Sequence, residues 1–208
     1  VKGPTMLTLY HAPNSRSSRI VTLIDEMGVQ DKVQIRDVEI HRMFPEGGGP
    51  DPANPHPEGK VPLLVDGEEM IRESPAIILY LLERFPGTGL GIEPGAARRG
   101  EFLSWIAYYG SVFEPVVMLT RRGIDDPFLR DNYRGLPEAF AAFRRALDQT
   151  PWLAGDRYTA ADLLLSSAFG WWPEGRPDDP VICDWIDRCL ARPSVARTMA
   201  RDQPALAG

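Results

Sequence analysis

Cysteine and histidine are scarce in this chain, two and three of its 208 residues respectively. If Cys183 and Cys189 share a helix, six residues of rise separate them by about 9 Å, too far for a disulfide. They are therefore expected to be reduced thiols. His11, His41 and His56 lie far from both in the sequence, and no metal-ligand spacing appears, so no metal is expected. There is no Gly-x-Ser-x-Gly elbow, no Walker loop and no His-Glu-x-x-His, which argues against hydrolase and phosphoryl-transfer chemistry. Basic residues are in the minority: 23 Lys plus Arg against 29 Asp plus Glu leave a net charge of -6. Nucleic acid is thus not the expected partner, although one anionic metabolite at a local positive site stays compatible. No apolar run of about 18 residues is seen, so no transmembrane helix is expected. The five residues before Met6 have neither a charged nor an apolar signal-peptide region and read as an appended leader, with the native chain starting at Met6. Together with reduced thiols, this points to the cytoplasm.

What is present is ordinary globular composition, 43% hydrophobic and 25% charged, enough for one large or two small cores. Met6–Tyr10 and Val33–Val38 read as strands around a helix from Ser15 to Met27 that Gly28 stops. The stretch from Phe44 to Gly59, with three consecutive glycines and five prolines, reads as a long functional or mobile loop. Val61–Val65, the turn Asp66-Gly67 and Met70-Ile71 read as a hairpin. A helix over Ser74–Phe85 has Ser74 as N-cap and Pro75 at its first position.

Gly87 to Gly95 reads as a linker; its Gly-x-Gly-x-Gly spacing follows a helix rather than a strand, which excludes a dinucleotide fingerprint. Beyond it every period is helical: Arg98–Arg122, Pro137–Gln149, Val181–Ala191, and a short helix after Pro193. In Tyr158-Thr159-Ala-Ala-Asp162-Leu163, Thr159 and Asp162 form a capping box with Tyr158 as a staple on Leu163. The order βαβ, ββα and then helices alone predicts a small α/β domain followed by a helical one.

Three places can carry chemistry. Around Asn14 and Ser15, hydroxyls sit at a helix start that favours an anion. Val61-Pro62 opens a strand, where a proline belongs on an edge or in a special turn; a cis bond there would expose the Val61 backbone to an extended peptide. Glu73-Ser74 could hold a ligand's ammonium and carboxylate.

In order and spacing, these pieces resemble the glutathione transferase superfamily, over Met6 to about Ala200. The residues carrying the resemblance are Leu9-Tyr-His-Ala-Pro-Asn-Ser15-Arg-Ser-Ser-Arg19, His56-Pro-Glu-Gly-Lys60-Val61-Pro62-Leu-Leu-Val-Asp-Gly67, Glu73-Ser74-Pro-Ala-Ile77 and Gly155-Asp-Arg-Tyr-Thr159-Ala-Ala-Asp162. The resemblance implies a thioredoxin-like domain over residues 6–86, a linker at 87–95, an all-α domain at 96–202, and a homodimer.

It also implies a glutathione site: Val61 pairing with the cysteinyl unit beside a cis Pro62, Glu73 and Ser74 on the γ-glutamyl end, and Lys60 and His56 at the glycine end. Ser15 matches the activating serine of theta- and delta-like members, with Asn14 as a second donor, so a bacterial serine-type, theta- or beta-like member is implied. The tyrosine used by other classes would fall at His11, the beta-like cysteine at Arg16, and the zeta-like Ser-Ser-Cys-Ser run is missing. Tyr10 should point to the opposite strand face. Tyr108, Tyr109, Phe113, Trp171 and Trp172 are candidates for the wall against a small hydrophobic electrophile. The expected reaction is attack of the glutathione thiolate on that electrophile. The alternatives are a glutathione-dependent disulfide reductase or peroxidase, and a non-catalytic binding module.

Overall fold

In β1 (Leu7–His11), Leu7, Leu9 and His11 are buried while Thr8 and Tyr10 are half-exposed, the period-2 pattern of a strand. The computed structural model describes residues 6–40 and 51–203. The expected loop therefore lies outside the described residues up to residue 50, as does His41. β1 pairs parallel with β2 (Val33–Asp37) and antiparallel with β3 (Leu63–Asp66), which pairs antiparallel with β4 (Glu69–Arg72). The sheet order is β2-β1-β3-β4. The parallel β1–β2 pair needs a crossover, supplied by α1 (Ser18–Met27). This helix closes at Gly28, which adopts a φ of 68° without the strain a Cβ would add. α2 (Ser74–Arg84) follows the hairpin.

Two expectations shift here. β3 starts at Leu63 and lies inside the sheet, so Val61-Pro62 is neither in the strand nor on an edge strand. Pro62 sits just ahead of the ladder, where its missing N–H costs nothing. α1 starts at Ser18, three residues later than periodicity suggested, because Asn14 adopts φ 54° and residues 13–17 turn before the helix.

The helical half contains α3 (Arg99–Tyr108), a π-helical turn at Tyr109–Phe113, and α4 (Glu114–Arg121) in one continuous run. α5 (Pro127–Tyr133), α6 (Leu136–Leu147), α7 (Ala160–Trp171) and α8 (Pro180–Leu190) follow. α9 (Pro193–Asp202) is the final helix. Contacts divide the chain into two compact units, one reaching to Thr88 and resuming at Pro193, the other Gly89–Arg192. α9, expected with the helical half, thus packs on α1 in the first unit.

The expectation that no segment is apolar enough to span a bilayer is corrected by Arg99–Arg121, 23 residues that pass on length and composition. Its Phe113 packs against Phe143 and Phe169, with ring centroids 5.1 and 5.9 Å apart, and Phe102, Ile106 and Val117 are buried beside it. These are the contacts of a core helix.

The presumed linker is tied down. The Leu90 carbonyl accepts from the Ala160 amide at 2.8 Å, and Arg157 donates to the carbonyls of Gly89 and Gly91. At the start of α7, Asp162 reaches back to the Thr159 amide and hydroxyl, each at 2.9 Å. Its other oxygen accepts from the Leu153 amide (2.9 Å) and the Trp185 indole (3.0 Å). Burial pushes this carboxyl up. Tyr158 meets Trp152 at 5.2 Å, with the Arg192 guanidinium 3.9 Å from its ring centroid.

Candidate glutathione site

The turn between β1 and α1 folds into a hydroxyl-rich knot. Ser17 is fully buried, and its Oγ accepts from the Ala12 amide at 3.1 Å while lying 2.7 Å from both His11 Nδ1 and Ser15 Oγ. The Ser17 amide donates to Ser15 Oγ at 3.1 Å. Ser15 is half-buried and marks the outer end of this chain of groups.

At the inner end, His11 Nε2 lies 2.9 Å from Asp202 Oδ1. His11 is 0% and Asp202 3% exposed. Asp202 Oδ2 accepts from the Asn14 amide at 2.9 Å and from the Ser18 hydroxyl. Burial raises the Asp202 carboxyl, but the hydrogen bonds from His11, Ser18 and the Asn14 amide outweigh it and hold the group below its ordinary value. The Asn14 side-chain amide donates to the Asp202 carbonyl at 3.0 Å, so it braces the turn. Tyr10 points to the other face, as expected, with the Arg36 guanidinium 5.6 Å from its ring centroid.

The peptide bond between Val61 and Pro62 is cis. The Val61 side chain packs with Ala12 and Val38 in a small apolar cluster flanked by Tyr10 and Ile40. Ala12 directly precedes the turn that carries Ser15. Among the described residues the Val61 amide and carbonyl make no backbone hydrogen bond outside the strands.

Asn54, which sequence reading did not single out, organises the segment before it. Its Nδ2 donates to the Lys60 carbonyl (3.1 Å) and its Oδ1 accepts from the His56 amide (3.1 Å). His56 Nδ1 accepts from the Glu58 amide at 3.0 Å, which leaves the neutral ring's proton on Nε2. Burial pushes the His56 ring down, against the opposing pull of Glu58. Lys60 is exposed and paired with Glu58.

At the head of α2, Glu73 takes the N-cap position with φ 68°. Ser74 is the first helical residue and Pro75 the second, one place on from expectation. Glu73 is exposed and Ser74 buried, and no side chain caps this helix. Its first amides are thus open to an anion.

The aromatic candidates for the electrophile wall separate by burial. Tyr109 and Phe113 are core residues of the helical unit, 1% and 0% exposed. Tyr109 donates to Glu114 Oε1 at 2.9 Å. Both pack within that unit. Tyr108 is half-buried, edge-on to Trp105 at 5.6 Å, and burial raises its phenol. Trp171 is exposed beneath Arg121, and Trp172 is half-buried against Gly175.

Both cysteines lie on α8 and are free; burial raises the Cys189 thiol well above its ordinary value. Among the described residues no cluster could hold a metal.

A βαβ and hairpin sheet with a cis proline ahead of its third strand, followed by helices, is a thioredoxin-like domain joined to an all-helical one. Sequence models described as "Glutathione S-transferase, N-terminal domain" and "Glutathione S-transferase, C-terminal domain" match residues 9–89 and 118–193. The chain is 30% identical to "Glutathione S-transferase aclG" of Aspergillus oryzae, over 70% of this chain and 74% of that one. It is 24% identical to "Disulfide-bond oxidoreductase YfcG" of Escherichia coli, over 95% and 96%. A sphingomonad glutathione S-transferase solved with glutathione superposes with a TM-score of 0.75 at 24% identity, covering 95% of this chain and all of that one. The chain belongs to the glutathione transferase superfamily.

Proposed function

We propose that this protein binds glutathione along Val61, holds its sulfur as a thiolate at Ser15, and joins the glutathione through that sulfur to small hydrophobic electrophiles. The observation carrying this reading is the Ala12–Val61 packing, which sets an unpaired backbone segment against the residue that precedes the turn carrying a half-exposed hydroxyl. Glu73 and Ser74 would take the γ-glutamyl end, the open α2 amides suiting its carboxylate. His56 Nε2–H and Lys60 would take the glycine carboxylate. Asn14 supports the turn, and Tyr108, Trp171 and Trp172 are the remaining candidates for the electrophile side.

A free thiol with pKa near 8.5 is only a few per cent ionised at neutral pH. Lowering it by about two units takes about 2.7 kcal/mol. A hydroxyl donor to a charged acceptor supplies about 1.5–3 kcal/mol, and the positive end of α1 adds about 0.3–1. Ser15 therefore acts as a donor rather than a nucleophile.

The site unit is residues 6–86 with α9, followed by the 87–95 connection and the helical unit. We place a serine-type homodimer of this chain in the cytoplasm. A second reading, glutathione-dependent disulfide reduction, is favoured by the likeness to YfcG. Burial and its raised thiol make Cys189 a poor redox partner; in this reading glutathione would supply the sulfur in that reaction as well. Retention on immobilised glutathione tests the site. Turnover of an aryl halide against a glutathione mixed disulfide then separates the two activities; retention without either turnover would overturn the enzymatic reading.

A further inference from the structure

The groups from Asp202 to Ser15 form one uninterrupted line: Asp202 Oδ1 to His11 Nε2 at 2.9 Å, His11 Nδ1 to Ser17 Oγ at 2.7 Å, and Ser17 Oγ to Ser15 Oγ at 2.7 Å. Its inner end is buried and its outer end reaches the surface of the unit at Ser15. Conjugation as proposed above needs only the Ser15 hydroxyl, so a buried imidazole and carboxylate behind it call for a role.

Hydrogen counting gives one. An ionised Asp202 only accepts, so the neutral His11 ring carries its proton on Nε2 and Nδ1 accepts the Ser17 hydroxyl proton. Ser17 Oγ also takes the Ala12 amide, and its remaining lone pair takes the Ser15 hydroxyl proton. In this state the Ser15 proton points inward and is not offered to a ligand. If His11 gains a proton at Nδ1, the hydroxyls turn: Nδ1–H donates to Ser17, Ser17 donates to Ser15 at 2.7 Å in preference to the Ala12 carbonyl at 3.3 Å, and Ser15 donates outward.

We propose that His11, held by Asp202, is the acceptor of the glutathione thiol proton, taken up through Ser15 and Ser17. This rests on the assignment of Ser15 to the thiol. In the transfer the S–H bond breaks and its proton goes to Ser15 Oγ, the Ser15 proton passes to Ser17 Oγ, and the Ser17 proton passes to His11 Nδ1. The electron pair stays on sulfur, and the Ser15 hydroxyl now donates to the thiolate. One proton has moved and none is lost to solvent. Asp202 balances the imidazolium that forms. His11 and Asp202 are positioning residues acting through the two serines.

The charged groups around His11 are few. Asp202 faces it from α9, and its cross-strand neighbour on β2 is Asp37, paired with Arg201 at 2.9 Å. Arg19 is buried on α1, and the β3 residues pairing with the adjoining part of β1, Leu63 and Leu64, are apolar.

The test counts protons released per thiolate formed when glutathione binds. Calorimetry in buffers of different ionisation enthalpy gives the protons, and ultraviolet absorbance gives the thiolate. At the alkaline end of a pH series the wild-type protein should release far fewer protons than thiolates formed. Ser17→Ala cuts the line and His11→Gln removes the acceptor. Each should form about tenfold less thiolate at a given pH, one unit of thiol pKa, and release one proton for each formed. Both should still bind S-methylglutathione, which has no thiol proton, as the wild type does. One proton per thiolate in the wild type overturns the relay and leaves the transferase reading standing, a result that needs no variant to fold. Glutathione bound by the wild type without any thiolate overturns the Ser15 assignment and the relay with it.

Discussion

Asp202, the last residue of the last helix, holds His11 of the first strand at 2.9 Å across 191 positions of sequence. The same carboxylate accepts the Asn14 amide and the Ser18 hydroxyl, so one side chain at the end of α9 braces the turn that presents Ser15. Other contacts secure the helix: Thr22 donates to Thr198 at 2.9 Å, and Arg197 pairs with Asp25.

Removing the hydroxyl proposed to hold the thiol should weaken activation while leaving binding. Ser15→Ala is expected to raise the bound thiol's pKa by about one to two units, matching a lost charged hydrogen bond of about 1.5–3 kcal/mol. An ultraviolet titration of the bound thiolate measures it. An unchanged titration would remove Ser15 from that role.

Acid should release α9. Asp202 is depressed below its ordinary value, so its stabilisation is complete above the unfolded reference near pH 3.9 and is lost as pH falls through the lower folded value. Amide exchange in α9 should accelerate there before that of β1 and β3. Asp202→Asn should abolish this acid limb; an identical limb in the variant would refute the assignment.

In the proposed site, Glu58 would compete with glutathione for Lys60, with which it is paired. Its carboxylate occupies the ammonium that the glycine end would use, and the pair is exposed, so its effect is modest. Glu58→Gln should lower the KM for glutathione by about twofold with kcat unchanged. A raised KM would mean that Glu58 orients Lys60 productively instead.

Asp162 closes four hydrogen bonds inside the helical unit. Asp162→Ala would strand the Leu153 amide and the Trp185 indole along with the cap of α7. With each buried unsatisfied group costing about 1–3 kcal/mol, a loss of about 3 kcal/mol or more is expected. Urea unfolding followed by tryptophan fluorescence reads it. A loss under about 1 kcal/mol would show that water replaces the carboxylate.

Gly175 lies flat against the Trp172 ring, and an added Cβ would fall well inside van der Waals contact. Gly175→Ala should therefore displace Trp172 and change the KM for a hydrophobic electrophile while sparing that for glutathione. Equal effects on both would exclude Trp172 from the electrophile side.

Local chemistry wrote much of this fold openly into the sequence. The hairpin is marked by Asp66-Gly67, with Gly67 at φ 62°. The Asp162 cap, the Gly28 stop and the Val61-Pro62, Glu73-Ser74 and Ser15 positions were likewise readable, because each depends on a few neighbouring residues. α5 was equally readable yet passed over: Asp126 caps it by accepting from Leu129, directly ahead of Pro127. Asp179-Pro180 does the same for α8.

Burial and distant pairing left no such mark. Tyr109 and Phe113 share the helical spacing of Tyr108, and only packing around the π-helical turn decided which of them are core. His11 looked like a vacant tyrosine position, and Asp202 like one more charge near the end of a helix. The sequence by itself determined the sheet and most of the helices, through propensities and turns that act within a few residues. Which polar groups stand behind Ser15 was decided only when α9 folded back on α1, because two buried polar groups nearly 200 residues apart stabilise each other by contact and by nothing that either one's neighbours reveal.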